Sequence, residues 1–448
     1  MTAPGADGRS HPVLEIAVVG GGIAGLAAAW MLAQRHRVTL FERQPALGFT
    51  AASVAVHGQR ADVPLRVFYP GYYPTLVRLY AALGVATEPV NYATTFSGPD
   101  GRPYFRWRNL RLGGRSWPLV APHDLLSMRA RRIAFGALRL QARLRAAAAA
   151  GALGGTSIGA FVAAERIAPE CVEGLLWPAL ATIATCTNAD ARAVPAALVA
   201  AYWGAGLARD SVRRAVHGAD EVAARLVAPL QRVVCDAGVE RIAATPGGVL
   251  VQRRGAEPQR FDHAVLATNA AQALQLWPDA PAEEAALLAR FRTRALTVLM
   301  HRDAGLMPPQ RRHWSPVHAY VDPAAERPES TIWLNAVQPS LRALAPIFQT
   351  VQPQRAPRAG SLIAEARFER PLVSLDSEQA LAALRALWQR PRAAGREPRR
   401  VWLAGSYAET GVPLLESAVR SALAVASALG VGLGVGSALD GTAPLSSA

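Results

Sequence analysis

Apolar positions along the chain change their period several times, and each change marks an element. Ile16–Val19 is a continuous apolar run ending at glycine, as a strand buried on both faces reads. Ile23–Arg35 follows with helical spacing and strong helix formers, and Arg37–Phe41 is a second short strand ending on Glu42. Together they predict a βαβ start. Pro74–Leu83 predicts a helix closed by Gly84. Residues 92–118 alternate aromatic and polar positions around the turn signals Pro99-Asp100-Gly101 and Gly113-Gly114, which predicts a hairpin. Residues 123–230 are helix-compatible almost throughout. At 239–266 the pattern returns to strands: Val249, Val251 and Val265-Leu266 predict a small meander leading back to the first sheet, with Asp262–Thr268 ending in small residues. Residues 283–291 read as helix, and Leu296–His301 and Thr331–Asn335 as strands. The stretches 351–360 and 391–399 are proline- and arginine-rich loops. Val401–Gly405 is a last strand and Leu414–Leu429 a last helix. Residues 1–12 read as a disordered leader and 436–448 as a flexible tail.

The turn after the first strand carries chemistry. Gly20, Gly21, Gly22, Ile23, Ala24 and Gly25 contain the spacing G-x-G-x-x-G between a strand and a helix. Gly20 permits the tight turn, Gly22 lets the backbone approach a pyrophosphate, and Gly25 lets helix and sheet pack closely. The helix N-terminus offers free N–H groups and partial positive charge to phosphates. Glu42, about twenty residues on, ends the next strand and suits ribose hydroxyls; Arg43 and Gly48 flank it. This context identifies a dinucleotide site but does not choose between NAD and FAD.

Of the 448 residues 51% are hydrophobic, enough for a sizeable core and against global disorder. Cys171, Cys186 and Cys235 form no C-x-x-C pair, which argues for a reducing compartment and against a disulfide framework or zinc site. The net charge is +15, and all 48 basic residues are arginine. Without lysine there is no Schiff base, no P-loop lysine and no lysine-held water beside a flavin. The arginine excess fits a GC-rich genome, since alanine is also abundant; its functional reading is attraction to anionic surfaces. No motif supports nucleic-acid binding. No secretory signal and no convincing membrane span are present, so a cytoplasmic location is expected.

Several separated segments together resemble the flavin-containing amine oxidase and phytoene-desaturase-like superfamily. IAVVGGGIAGLAAAWMLA resembles its FAD fingerprint. VERIAATPGGVLVQ resembles the stretch whose valine, here Val239, meets the adenine. DHAVLAT, ending at Thr268, resembles the strand near the pyrophosphate. VWLAGSYAETGVPLLESAVRSALAVASAL resembles the motif covering the flavin, which implies Gly405, Pro413, Leu414 and Glu416 as cofactor-binding residues. YYPTLVRLYAALGV, LTVLMHRDAGLMP and TIWLNAVQPSLRALAPIFQTVQP are similar to a bacterial group of NAD/FAD-binding oxidoreductases associated with cyclopropane-fatty-acid synthases. Two features depart from these patterns. Leu47-Gly48-Phe49-Thr50 lacks the second glycine and the basic residue that usually follow the acidic one. Gly411–Glu416 lacks the histidine and acidic pair of the closer group and matches the oxidase and desaturase pattern better.

The resemblance implies an α/β fold with a Rossmann-type FAD-binding domain and an inserted α+β substrate domain. Residues 13–75, 215–270 and 395–435 are expected to form a discontinuous FAD-binding domain, and 76–214 and 271–394 the substrate domain. It implies FAD as cofactor and an oxidoreductase, a dehydrogenase or desaturase taking hydride from a largely apolar lipid or isoprenoid. The alternatives are an amine oxidase, a double-bond isomerase and a non-catalytic flavoprotein subunit of a lipid-modifying system. A flavin supplies the hydride chemistry itself, so no triad is required and the catalytic residues stay unassigned. His301 is the one acid/base candidate, with a packing role as its alternative. Tyr69, Tyr72 and Tyr73 suit either a channel or a core. Met128–Arg145, with arginines at 129, 131, 132, 139, 143 and 145, fits a basic amphipathic helix lying peripherally on a membrane, or an ordinary surface helix. Oligomeric state is not legible.

Overall fold

Val18 has no polar atom outside its backbone and no solvent on either side, and its strand is the middle of a sheet. Glu15–Val19 pairs in parallel with Arg37–Phe41 on one side and His263–Leu266 on the other. Arg232–Val234 and Val401–Leu403 extend the two edges, also in parallel. The computed structural model in which this is seen describes residues 12–50, 52–112, 115–121, 124, 126–205, 211–390 and 398–433. The expected leader (except residue 12), the expected tail after 436, Gly113-Gly114 and most of the 391–399 loop lie outside the described residues.

Both faces of this five-stranded parallel sheet are covered, which is why its strands read as unbroken apolar runs. Ile16 and Val18 pack with the helices Ile23–Ala33 and Leu415–Ala428. Ala17 and Val19 pack with Ile242, Val249, Val251 and Phe261 of a three-stranded antiparallel meander. Successive strands leave the central one in opposite directions. The crevice above the carboxyl ends of the strands is therefore a topological switch point, where open α/β sheets bind ligands.

A second, eight-stranded sheet runs in the order Leu362–Pro371, Thr293–His301, Phe348–Val351, Glu329–Trp333, Val317–Tyr320, Thr94–Ser97, Pro103–Leu112 and Arg115–Val120. Its neighbours are antiparallel except where Val317–Tyr320 meets Thr94–Ser97. Two distant stretches of chain join at that parallel pair. Helices Met128–Ala149, Ile158–Ala164, Trp177–Ala184 and Ala196–Gly204 contribute to a separate apolar core.

Two local expectations need correction. Within the helix-compatible stretch 123–230, Arg213–Ala215 is a strand, because Thr87–Pro89 supplies an antiparallel partner. Asn335 lies in the helical turn Leu334–Val337 rather than in a strand. Its amide there bonds the carbonyls of Leu341 and Leu344 and the N–H of Ile347.

Candidate functional site

The glycine turn opens onto the switch point. Gly20 has φ +112°, and a Cβ there would sit 2.7 Å from the carbonyl oxygen of Ala267. A Cβ on Gly25 would lie 1.9 Å from the carbonyl oxygen of Gly20, so helix and turn touch through bare backbone. Gly22 differs: a Cβ there meets nothing within 4 Å. It is the N-cap of Ile23–Ala33 and offers no side chain to the first turn. The first N–H groups of this apolar helix thus face open space, the arrangement that receives a phosphate.

Glu42 is buried beside that turn. Its Oε2 accepts the Gly21 N–H at 2.7 Å and its Oε1 accepts the Gln44 N–H at 2.8 Å. A carboxylate oxygen has a second lone pair, so each can still receive a ribose hydroxyl. Gly48 closes over it, 3.1 Å from Oε2 to a Cβ built there, while the Phe49 N–H donates to Gly21. Arg43 is exposed. Half-buried Val239 starts the meander just after Ala237, whose N–H donates to the Glu42 carbonyl. Gly20 and Gly405 both border Thr268: a Cβ on the first would be 3.6 Å from its Cγ2, and one on the second 3.4 Å from its carbonyl oxygen. The N-terminal and C-terminal motifs are therefore neighbours. These features fit a dinucleotide.

Pro413 is buried and Leu414 caps the last helix. Glu416 is committed locally: its two oxygens accept the N–H groups of Thr75 and Leu76 at 3.1 and 3.0 Å. These are the first-turn donors of helix Pro74–Ala82, whose own N-cap supplies no side-chain bond. Burial pushes the Glu416 carboxyl above its usual range, and the two backbone donors oppose that shift.

Tyr69, Tyr72 and Tyr73 converge with Tyr202 from helix Ala196–Gly204, with ring centroids 4.7–6.1 Å apart. Burial raises all four phenol pKa values, so the hydroxyls stay neutral. Tyr72 also accepts the Val412 N–H at 2.9 Å, tying the cluster to the C-terminal motif. On its other side lies a cavity of about 110 Å³ walled by Tyr69, Tyr202, Phe96, Trp107, Ile183 and Val317 among others, none of them charged. Tyr202, Phe96 and Trp107 carry no motif. Only the strand alternation around Phe96 hints at an inward side chain.

Two buried guanidinium groups were also silent in the sequence. Arg66 lies 4.3 Å from the Phe49 ring centroid and donates to the Pro64 and Phe49 carbonyls. Arg370 donates to Thr185 Oγ1 at 3.1 Å. Burial lowers both pKa values, and neither pairs with a carboxylate among the described residues. His301 is fully buried, with Nε2 2.8 Å from Thr350 Oγ1 and Nδ1 accepting the Asp303 N–H. It stacks on Phe348 and borders none of the cavities described. Burial lowers its pKa. The geometry is that of a packed, hydrogen-bonded core histidine.

Residues 18–83 match the family described as NAD(P)-binding Rossmann-like domain. Over 34 residues the chain is 71% identical to a carotenoid phi-ring synthase of Streptomyces griseus, a span of only 7% of each protein. Among solved structures, a CLA-producing fatty acid isomerase from P. acnes superposes with a TM-score of 0.64 at 16% identity, over 93% of this chain and 99% of that one. Cyclohexylamine oxidase from Brevibacterium oxydans also gives 0.64, at 17% identity, over 94% and 100%. The chain therefore has the two-domain fold of these enzymes, with a Rossmann-like dinucleotide-binding domain.

Proposed function

We propose that the chain is an FAD-dependent oxidoreductase that dehydrogenates or desaturates a largely apolar substrate, an acyl or isoprenoid chain. The carrying observation is the uncharged, aromatic-walled cavity joined through the tyrosine cluster to the C-terminal motif beside the glycine turn. Bound FAD would supply the hydride acceptor. Residues 13–75, 215–270 and 395–435 would hold it, with Glu42 on the ribose and the N-terminus of Ile23–Ala33 on the pyrophosphate. The remaining segments, 76–214 and 271–394, would hold the substrate. Neutral tyrosines and apolar walls exclude water and place a C–H bond without charging it. Arg370 provides positive charge beside Tyr73, suited to an anionic group arising there. An association with lipid-modifying enzymes is in keeping with such a substrate.

A second reading, double-bond isomerisation of an acyl chain, is supported by the likeness to the fatty acid isomerase and uses the same cavity. An amine oxidase is less favoured: the cavity wall has no carboxylate for a protonated amine, and the chain has no lysine.

Anaerobic mixing of the purified protein with acyl and isoprenoid substrates tests these readings. Lasting loss of the flavin absorbance supports dehydrogenation, and product without net loss supports isomerisation. Bleaching by amines alone overturns the apolar substrate. A folded, colourless protein that FAD does not reconstitute overturns the cofactor.

A further inference from the structure

Five of the eight large apolar side chains left exposed among the described residues fall between positions 119 and 138: Leu119, Leu126, Met128, Phe135 and Leu138. Leu126 is 84% exposed, Phe135 68% and Leu138 64%. Clustered exposure of this kind marks an interaction surface rather than scattered surface residues. Three of the five lie on the helix Met128–Ala149, which has two apolar faces. Ala130, Ile133, Leu140 and Leu144 are buried against the protein. Met128, Arg131, Phe135, Leu138, Ala142, Arg145 and Ala149, spaced alternately by three and four residues, are all exposed and form one outward stripe.

The charges on this helix are one-sided. It holds six arginines and no acidic residue. Some are spoken for by the protein: Arg132 pairs with Glu170, Arg143 with Glu165, and Arg129 lies over the Tyr104 ring. Arg131 and Arg145, both on the outward stripe, make no ion pair among the described residues. An apolar stripe bearing unpaired cations matches an anionic lipid surface, where apolar side chains enter the acyl boundary and guanidinium groups stay at the headgroups. It does not match a second copy of itself, which would bring the same cations together. No described helix is long and apolar enough to cross a membrane, so the helix would lie in the interface plane.

We propose that the outward stripe of Met128–Ala149 docks the protein on an anionic bilayer, with Phe135 and Leu138 inserted and Arg131 and Arg145 on the headgroups. Ile133 and Leu140 of the same helix are core and take no part in the stripe. The position of the helix also matters for substrate. Its inner face packs against Phe96 and Trp107, and these same two side chains wall the apolar cavity. Docking would hold that cavity next to its lipid supply, a consequence that rests on the apolar-substrate reading; the docking itself does not.

Flotation of the holoprotein with vesicles of phosphatidylcholine alone, or mixed with phosphatidylglycerol, tests it. Binding is expected only to the mixed vesicles, falling as salt rises, since exposed charges are screened within about 8 Å at physiological ionic strength. Phe135→Asp with Leu138→Asp should weaken it by about tenfold or more, because two buried apolar groups are lost, with melting temperature and cofactor spectrum unchanged. Arg131→Gln with Arg145→Gln should weaken it on mixed vesicles at low salt. Equal flotation of wild type and both variants overturns the proposal, as does failure to bind either vesicle. A lipid-free dimer that the Phe135→Asp and Leu138→Asp protein cannot form overturns it in favour of self-association. Loss of vesicle binding with flavin bleaching retained in detergent-dispersed substrate separates docking from catalysis. Intact vesicle binding without any substrate response leaves docking standing and removes the functional reading.

Discussion

At Gly25 a Cβ would lie 1.9 Å from the carbonyl oxygen of Gly20, whereas at Gly22 it would meet nothing within 4 Å. The two glycines therefore do different work. Gly25→Ala forces helix and turn apart, and overpacking of this kind costs about 1–3 kcal/mol or more; it should lower the melting temperature even without cofactor. Gly22→Val should leave cofactor-free melting nearly unchanged and abolish dinucleotide retention, because its side chain enters the open space. Equal effects of the two substitutions on cofactor-free melting would contradict this division. Glu42→Ala should weaken FAD binding by about tenfold or more, given roughly 1.5–3 kcal/mol for a hydrogen bond to a charged group. Glu42→Gln should lose less, since it retains one acceptor oxygen. A titration that ranks the two alike would show that the carboxylate does not face the nucleotide. The placement of these residues was legible because spacing along one strand, turn and helix sets it. Arg370 and Tyr202 were not, since Arg370 acquires meaning only from Thr185, 185 positions away in sequence, and Tyr202 only from Tyr69 and Tyr72.

Single polar side chains fasten whole elements together. His318 is 1% exposed on Val317–Tyr320. Its Nδ1 lies 2.9 Å from the Leu306 carbonyl and must donate to it, which leaves Nε2 to accept from Ser97 Oγ at 3.0 Å. The neutral ring thus bonds the one parallel strand pair of the large sheet. Burial pushes its pKa down to about 4 from 6.5. Between these values the unfolded chain binds a proton that the folded chain refuses. The stability from this group is fully present above about pH 6.5 and is lost as pH falls toward about 4. At 1.36 kcal/mol per pKa unit the loss is about 3 kcal/mol. His318→Gln should make the urea-unfolding free energy flatter over that window by a similar amount; an unchanged slope would mean that the ring is not held neutral. Element scale is also where sequence reading was uneven. The helix Pro74–Ala82 was legible from its Pro and the following Gly84, while its cap, Glu416, is supplied from the far end of the chain. Arg213–Ala215 was hidden because a three-residue strand exists only through its partner.

Across the whole molecule the nucleotide cradle and the apolar cavity are built by opposite logics. The cradle comes mainly from one continuous stretch, residues 18–48, closed by Thr268 and Gly405. The cavity takes its wall from three adjacent strands of the eight-stranded sheet, drawn from two distant stretches of chain, and from two helices, so no window of sequence contains it. That is why the dinucleotide motif was readable and the apolar cavity was not. It also means that the two sites can be perturbed separately. Ala179 lines the cavity from helix Trp177–Ala184 and is distant in sequence from every cradle residue. Ala179→Phe would fill much of a space of about 110 Å³ with a ring while adding no charge. The variant should retain FAD and its spectrum. With long acyl or isoprenoid chains its KM should rise by about tenfold or more, since excluding even one or two methylenes from an apolar pocket costs about 1–3 kcal/mol. Short-chain substrates should be affected less, because they need not reach the filled region. If the variant keeps FAD yet handles long and short chains as the unaltered protein does, the cavity beneath Phe96 and Trp107 is not where the substrate binds.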